Sequence, residues 1–338
     1  MAIRKVWFSD FWSGFIPEKS EFFRWLNLLS PTVLDRSNPD LLICSVFGND
    51  WMNFTCRKLW YTYERMPPFP QLFDFSMSFE PDNASNLYLP MIRIWPGYGD
   101  LFLERDIDVV TWKRRKTVNF IYSNKDPKFR NELFHGLNNS VGVYSGGSAF
   151  NNVGGQVTDK SAFLSNHNFT IACENVRWPG YVTEKILDAW CAGTVPIYAG
   201  DTEWRGWLNP QAALVWEKNN QLDSIIQNTR LLLEDFDAYR AMYRSPIFPE
   251  NKEPQLWHQD RILGFIETVI SSPKRIRNSG KLSRNYFWSM KDEWFRWRII
   301  HWKNRKVILL WIFLFPLVWI RNHAKESLKR FFRFFESK

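Results

Sequence analysis

Apolar residues in the first hundred positions come in short bursts. Leu41-Leu-Ile-Cys-Ser-Val-Phe47 and Leu59-Trp-Tyr-Thr-Tyr63 have the length and the aliphatic and aromatic content of strands. Ser20-Glu-Phe-Phe-Arg-Trp-Leu-Asn-Leu-Leu29 has the pattern of a helix with one apolar face. That alternation predicts a layered α/β unit over residues 1–112. The basic run Lys113-Arg-Arg-Lys116 opens a second series. Its strands are expected near 118–123, 142–144, 169–173 and 194–198, and its helices near 127–136, 183–192, 220–233 and 255–270. The last helix gathers Ile262, Phe265, Ile266, Val269 and Ile270 on one face. A second α/β domain over 113–272 follows, and no internal repeat interrupts either series.

Beyond residue 272 the pattern changes to a basic, aromatic tail over 273–338. Val307 to Ile320 is an unbroken apolar run of fourteen residues flanked by Arg305, Lys306 and Arg321. It is short for a membrane span, which needs about twenty residues, and Pro316 would kink it. Leu328, Phe331, Phe332 and Phe335 then fall at i, i+3, i+4 and i+7, with most of the basic residues elsewhere around the helix. This is the pattern of a helix lying in a membrane interface.

Charge sharpens the division. The chain of 338 residues has a formal charge of +9, but seventeen Lys/Arg and four Asp/Glu lie between Ser271 and Lys338. That segment carries +13 and the remainder −4, so the tail is expected to meet an anionic surface. Single-stranded nucleic acid could bind such a tail by stacking and charge, but it would leave the apolar run around Leu314 without a role. A membrane surface is expected instead, and no nucleic acid. The four cysteines, Cys44, Cys56, Cys173 and Cys191, form no CxxC pair. Cys173 and Cys191 sit in apolar runs and read as small buried hydrophobes. With an N-terminus that lacks the apolar core of a signal peptide, a cytosolic setting is expected.

Chemistry concentrates between Asn168 and Gly200. Phe169 to Cys173 reads as a strand, Asn175 to Val182 as a loop turning at Pro179-Gly180, and Thr183 as the N-cap of a helix that Gly193 ends. Lys185 in the first turn opposes the helix dipole. Taken alone it is a surface lysine, and Glu184 an ordinary first-turn acid. An anion at that helix end, such as a phosphate, would remove the conflict. A second strand-to-helix junction, Val118-Asn-Phe-Ile-Tyr-Ser-Asn124 followed by Asp126 as N-cap and Pro127 at the first helical position, brings Arg130 to the same edge of a parallel sheet. Arg130 alone would be a solvated helix residue; beside Lys185 it suits a bidentate grip on phosphate. The pairs Asp106-Ile-Asp108 and Asp235-Phe-Asp237 spell D-x-D, but neither falls at a strand end of this sheet, and both read as surface acids.

These residues carry a resemblance. Glu174-Asn175, Tyr181-Val-Thr-Glu-Lys185 and Gly193-Thr-Val-Pro-Ile197, with Ser123-Asn124, Arg130-Asn131 and Ser145-Gly146-Gly147 upstream, resemble the signature of glycosyltransferase family 10, the α-1,3/1,4-fucosyltransferases. The resemblance covers roughly residues 117–250. In Val176-Arg-Trp-Pro-Gly180 the chain departs from the family's small, polar loop. The resemblance implies a GT-B architecture, two Rossmann-like α/β domains facing across a cleft, residues 1–112 on the acceptor side and 113–272 binding the donor, with the tail added. It implies that Arg130 and Lys185 hold the diphosphate of GDP-fucose, that Glu184 binds sugar hydroxyls, and that Asn175 and Tyr181 line the same pocket. Trp60-Tyr-Thr-Tyr-Glu64 matches the strand carrying the family's general base, so Glu64 takes that role, expected partly buried in the cleft. Close relatives have Gly before that Glu where this chain has Tyr63.

The implied activity is inverting transfer of L-fucose from GDP-fucose to O3 or O4 of a GlcNAc or glucose residue in a glycan acceptor, as in protein glycosylation or lipopolysaccharide biosynthesis. No metal is required, with stimulation by Mn²⁺ or Mg²⁺ left open. The implied place is the inner face of the cytoplasmic membrane. Two other readings stay open: the same architecture with another nucleotide sugar such as GDP-mannose, and a membrane-bound sugar-binding protein without activity.

Overall fold

The computed structural model describes residues 4–70, 72–203, 206–217 and 221–273. The tail with its expected interfacial helix lies outside them. Among the described residues, no helix is long and apolar enough to cross a membrane.

Two parallel sheets organise the chain. The first contains β1 (Arg4–Ser9), β2 (Thr32–Leu34), β3 (Leu41–Cys44), β4 (Arg57–Tyr61), β5 (Phe75–Ser78) and β6 (Asn86–Tyr88), in the order β2-β1-β3-β4-β5-β6. β3 is buried at every position, as a strand covered on both faces must be. Between β1 and β2 runs α1 (Glu21–Leu29). Ser20 caps it by accepting from Phe23 N, and Phe22, Trp25 and Leu26 form its buried stripe.

The second domain begins with α2 (Val109–Arg114) and continues through β7 (Lys116–Phe120), α3 (Lys128–Val141), β8 (Val143–Ser145), α4 (Lys160–Ser165), β9 (His167–Cys173), α5 (Glu184–Cys191), β10 (Val195–Ala199), β11 (Leu214–Val215), α6 (Leu222–Glu234) and α7 (Phe236–Arg244). Its sheet order is β11-β10-β9-β7-β8. Val118, Phe120, Phe169, Ile171, Val195 and Ile197 from the strands pack with Leu133, Phe134 and Leu137 of α3. Gly147 is fixed by a close approach: a Cβ there would stand 2.2 Å from Tyr122 O. Gly193 turns with φ +69° just after α5, and its N–H donates to Trp190 O.

Both sheets have the same topological feature. In the first, the connections from β1 and β3 leave in opposite directions; in the second, those from β7 and β9 do. Each divergence opens a crevice at the carboxyl ends of the strands, where open α/β sheets bind ligands.

The final helix, α8 (Gln259–Ser271), departs from the expected 113–272 division. Its buried Ile262, Ile266 and Val269 join the core of the first domain with Phe22, Trp25 and Leu26. Arg57 Nη1 donates to Ile270 O at 2.7 Å, and Arg24 Nη2 to Gln259 Oε1 at 2.8 Å. The apolar face was plain in the spacing; its partner is α1, which needs a lid that its own domain's earlier residues do not supply. A third apolar cluster joins the domains, packing Phe79, Tyr88, Met91 and Ile92 against Tyr181, Val182, Ile186 and Trp190.

Candidate functional site

The crevice between the ends of β7 and β9 is a cleft of about 250 Å³ lined by Ser123, Asn124, Lys160, Asn175, Glu184 and Lys185, with Asp188 at its side. β7 delivers Ser123 and Asn124, β9 delivers Asn175, and the first turn of α5 delivers Glu184 and Lys185.

Lys185 is held on three sides. Its Nζ donates to Thr183 Oγ1 at 2.8 Å and pairs with Glu174 Oε2 at 3.1 Å and Glu184 Oε1 at 3.2 Å. The anion that resolves the clash with the helix dipole is therefore a built-in carboxylate. Glu174, fully buried, also accepts from Thr183 N at 2.7 Å and from Thr183 Oγ1 at 2.6 Å. Thr183 occupies the N-cap position as expected, but its hydroxyl serves Glu174 and makes no cap bond. Burial raises the Glu174 carboxyl above its ordinary value, against the pull of Lys185 and Thr183. For Glu184 burial also pushes up, but Lys185 and hydrogen bonds outweigh it and hold the carboxyl below its ordinary value. Burial pushes the Lys185 ammonium down, yet the two carboxylates more than reverse this and keep it protonated.

Arg130 is buried to 0 % exposure. Its Nη1 donates to Asn175 Oδ1 at 3.0 Å, its Nη2 to Asn124 O at 2.7 Å, and its guanidinium lies 3.8 Å over the Tyr122 ring. These partners are neutral, and Nε finds no hydrogen-bond partner. A buried cation held by neutral oxygens is costly unless an anion shares the site. Asn175 and Lys185 both line the cleft, whereas Arg130 is not part of its lining and is tied to it through its bond to Asn175. The local cap differs from expectation: α3 starts at Lys128 with Pro127 at the N-cap, and Asp126 does not cap it.

Tyr181 is buried against Phe79 of the first domain, ring centroids 4.7 Å apart. Burial raises its phenol well above the ordinary value, and the fields of Glu174, Glu64 and Glu184 add to this. Tyr181 sits at the apolar junction of the two domains. Glu64 lies just past β4, in a turn where its N–H donates to Thr62 Oγ1 at 3.0 Å. It is exposed, which corrects the expectation of partial burial: the turn carries it off the end of the strand, and it is not among the residues lining the cleft of the second sheet.

Glu174 is the residue whose role the sequence reading missed. The available signal was an acid directly after the fully buried strand β9, where a charge needs a partner. The D-x-D acids have structural work: Asp108 and Asp235 cap α2 and α7, and Asp106 pairs with Arg240 at 2.6 Å. Among the described residues no group of three or more His, Cys, Asp or Glu is placed to hold a metal ion. Cys173 is buried as expected, but Cys191 is exposed, because the last turn of α5 brings it round to solvent.

Comparison with known proteins places this geometry. The family model described as "Alpha-(1,3)-fucosyltransferase FucT N-terminal domain" matches residues 6–98, and "Glycosyltransferase family 10 (fucosyltransferase) C-term" matches residues 111–261. Alpha-(1,3)-fucosyltransferase FucT of Helicobacter pylori is 31 % identical over 163 residues, 47 % of this chain and 34 % of that protein. Alpha-(1,4)-fucosyltransferase of Arabidopsis thaliana is 25 % identical over 162 residues, 42 % of this chain and 40 % of its own. The matched stretch thus spans well under half the length of either relative. A crystal structure of an alpha1,3-fucosyltransferase with GDP-fucose superposes with a TM-score of 0.66 at 22 % identity, covering 82 % of this chain and 94 % of that one. At that identity the likeness speaks for the fold, which is GT-B. Two family models, one on each α/β domain and in the right order, establish that the chain belongs to glycosyltransferase family 10.

Proposed function

We propose that this chain transfers L-fucose from GDP-fucose to a hydroxyl of a glycan acceptor with inversion at the anomeric carbon. What supports it above all is the crevice of the second sheet, where a lysine at a helix start and Asn175 line one pocket and a buried guanidinium with only neutral partners is hydrogen-bonded to that Asn175. The names of the relatives supply the sugar and the donor.

In this mechanism the diphosphate enters between Arg130 and Lys185. Lys185 already spends its donors on Thr183, Glu174 and Glu184. A phosphate oxygen replaces the Glu184 oxygen, and Glu184, released, accepts from fucose hydroxyls. Asn175 lines the same pocket, and Tyr181, buried against Phe79 outside its lining, holds the loop that leads to Glu184. Glu64 takes the proton from the acceptor hydroxyl, which attacks the anomeric carbon on the face opposite GDP. Negative charge grows on the departing diphosphate, where fixed cations stabilise the transition state most. The two cations do this without a required metal. The acceptor hydroxyl is O3 or O4 of a GlcNAc or glucose residue, and the +13 segment holds the enzyme on the anionic inner face of the cytoplasmic membrane.

The test is product analysis after incubating the full chain with GDP-fucose and N-acetyllactosamine, with and without EDTA, beside a parallel reaction with GDP-mannose. A fucosylated trisaccharide with inverted anomeric configuration is expected, undiminished by chelator. Transfer from GDP-mannose and none from GDP-fucose would replace the donor, and dependence on Mn²⁺ would overturn the metal-free mechanism.

A further inference from the structure

The crevice of the first sheet is walled differently. The turn after β1 carries Phe11, Trp12 and Phe15, the turn after β3 carries Phe47, and the turn after β4 carries Tyr63 next to Glu64. These three strands are neighbours in the sheet, so all the rings stand over one stretch of its carboxyl edge. They also touch. Trp12 meets Tyr63 edge-on at 5.4 Å, Phe47 meets Tyr63 at 5.5 Å, and Phe15 backs Trp12 at 5.1 Å. Phe11 and Phe15 stack at 4.0 Å beneath them. Phe47 remains 49 % exposed, and Ile16 beside this group 47 %.

Tyr63 is the link to the second domain. It packs against both the core of the first domain and the cluster that joins the two. Burial pushes its phenol up to about 12, and Glu64 and then Glu184 add to the rise. Its ring sits where the first domain's core meets the cluster that joins the two domains, one residue before Glu64. Rings kept half in water at a ligand-binding edge suit a partner that is apolar on a face and polar at its rim. A pyranose has that form: a face of C–H bonds bordered by hydroxyls.

Resting on the transfer reaction proposed above, we infer that Trp12, Phe47 and Tyr63 form the seat for the acceptor sugar, stacking one pyranose face so that its hydroxyl meets Glu64. The rings supply the acceptor's affinity and set which face and linkage are presented; the second domain supplies the grip on the donor.

The experiment measures acceptor KM, donor KM and direct binding of N-acetyllactosamine, by saturation-transfer NMR, in the wild type and in Phe47→Ala, Tyr63→Ala and Phe47→Trp. Phe47 is half exposed, so its truncation is compatible with folding. In both alanine variants acceptor KM should rise about tenfold, as expected for losing one ring contact, while the KM for GDP-fucose stays within about twofold. Phe47→Trp should restore acceptor KM. The NMR arm is independent of the donor: loss of sugar binding in the alanine variants upholds the seat even if GDP-fucose proves the wrong donor. Acceptor KM and sugar binding unchanged in both alanine variants would overturn it. So would loss of binding to anionic lipid vesicles in those variants with sugar binding intact.

Discussion

The two switch-point crevices occupy the same place in two similar sheets and are furnished in opposite ways. That of the second domain is ionic, with Arg130, Lys185, Glu174 and Glu184 held in fixed hydrogen bonds. That of the first is aromatic, with ring contacts and half-exposed surface. Topology decides where a ligand can enter; the residues that end each strand decide what kind of ligand gains by entering. An ionic crevice rewards a phosphate, and an aromatic one rewards a neutral ring.

The comparison breaks most readily at its ionic half. Glu174→Ala leaves Lys185 partly unpaired in a buried setting and should cost about 3–5 kcal/mol of stability, read from denaturant unfolding. A loss below about 1 kcal/mol would show that the carboxylate is not needed to hold the site. Lys185→Ala and Arg130→Ala should each lower kcat by about 10²–10³, and near-normal turnover in both would remove the ionic crevice from catalysis.

A pH titration separates the domains further. The described part of the first domain contains no histidine, whereas His167 at the start of β9 is buried and its imidazole is lowered to about 4, mainly by burial. The unfolded chain binds a proton at this site from the ordinary value of 6.5 downward, and the folded one only near 4. Stability should therefore fall as pH drops from about 6.5 to 4, and His167→Asn should flatten that limb in thermal melts. Smallest of all, Asp108→Ala should remove a helix cap, seen as a slightly lower Tm in thermal melts, and leave the response of activity to Mn²⁺ and EDTA unchanged. A changed metal response would reopen that D-x-D pair as a metal site.

How far the sequence reaches follows from how local each feature is. The strand, loop and helix from Phe169 to Gly193 could be read directly, because each boundary is set by neighbours in the chain. The partner of Lys185 could not, since Glu174 meets it only once β9 and α5 are packed. Glu64 could be placed at a strand end, but its exposure depends on how the turn at Thr62 leaves the sheet. Cys191 failed for a similar reason: an apolar neighbourhood in sequence does not say which side of α5 a residue takes. The aromatic wall was visible only as a high aromatic content until three separate turns were brought over one edge.

The return of α8 to the first domain bears on the order in which the molecule can be made. A ribosome delivers β1 to β6 first, yet the core that α1 shares with the sheet stays incomplete until Ile262, Ile266 and Val269 emerge. The whole second domain is synthesised in between, and domains tend to fold as they appear. The half of the protein that begins earliest is thus finished last, and a chain cut short before residue 259 would lose the first domain's outer layer while keeping the second domain complete.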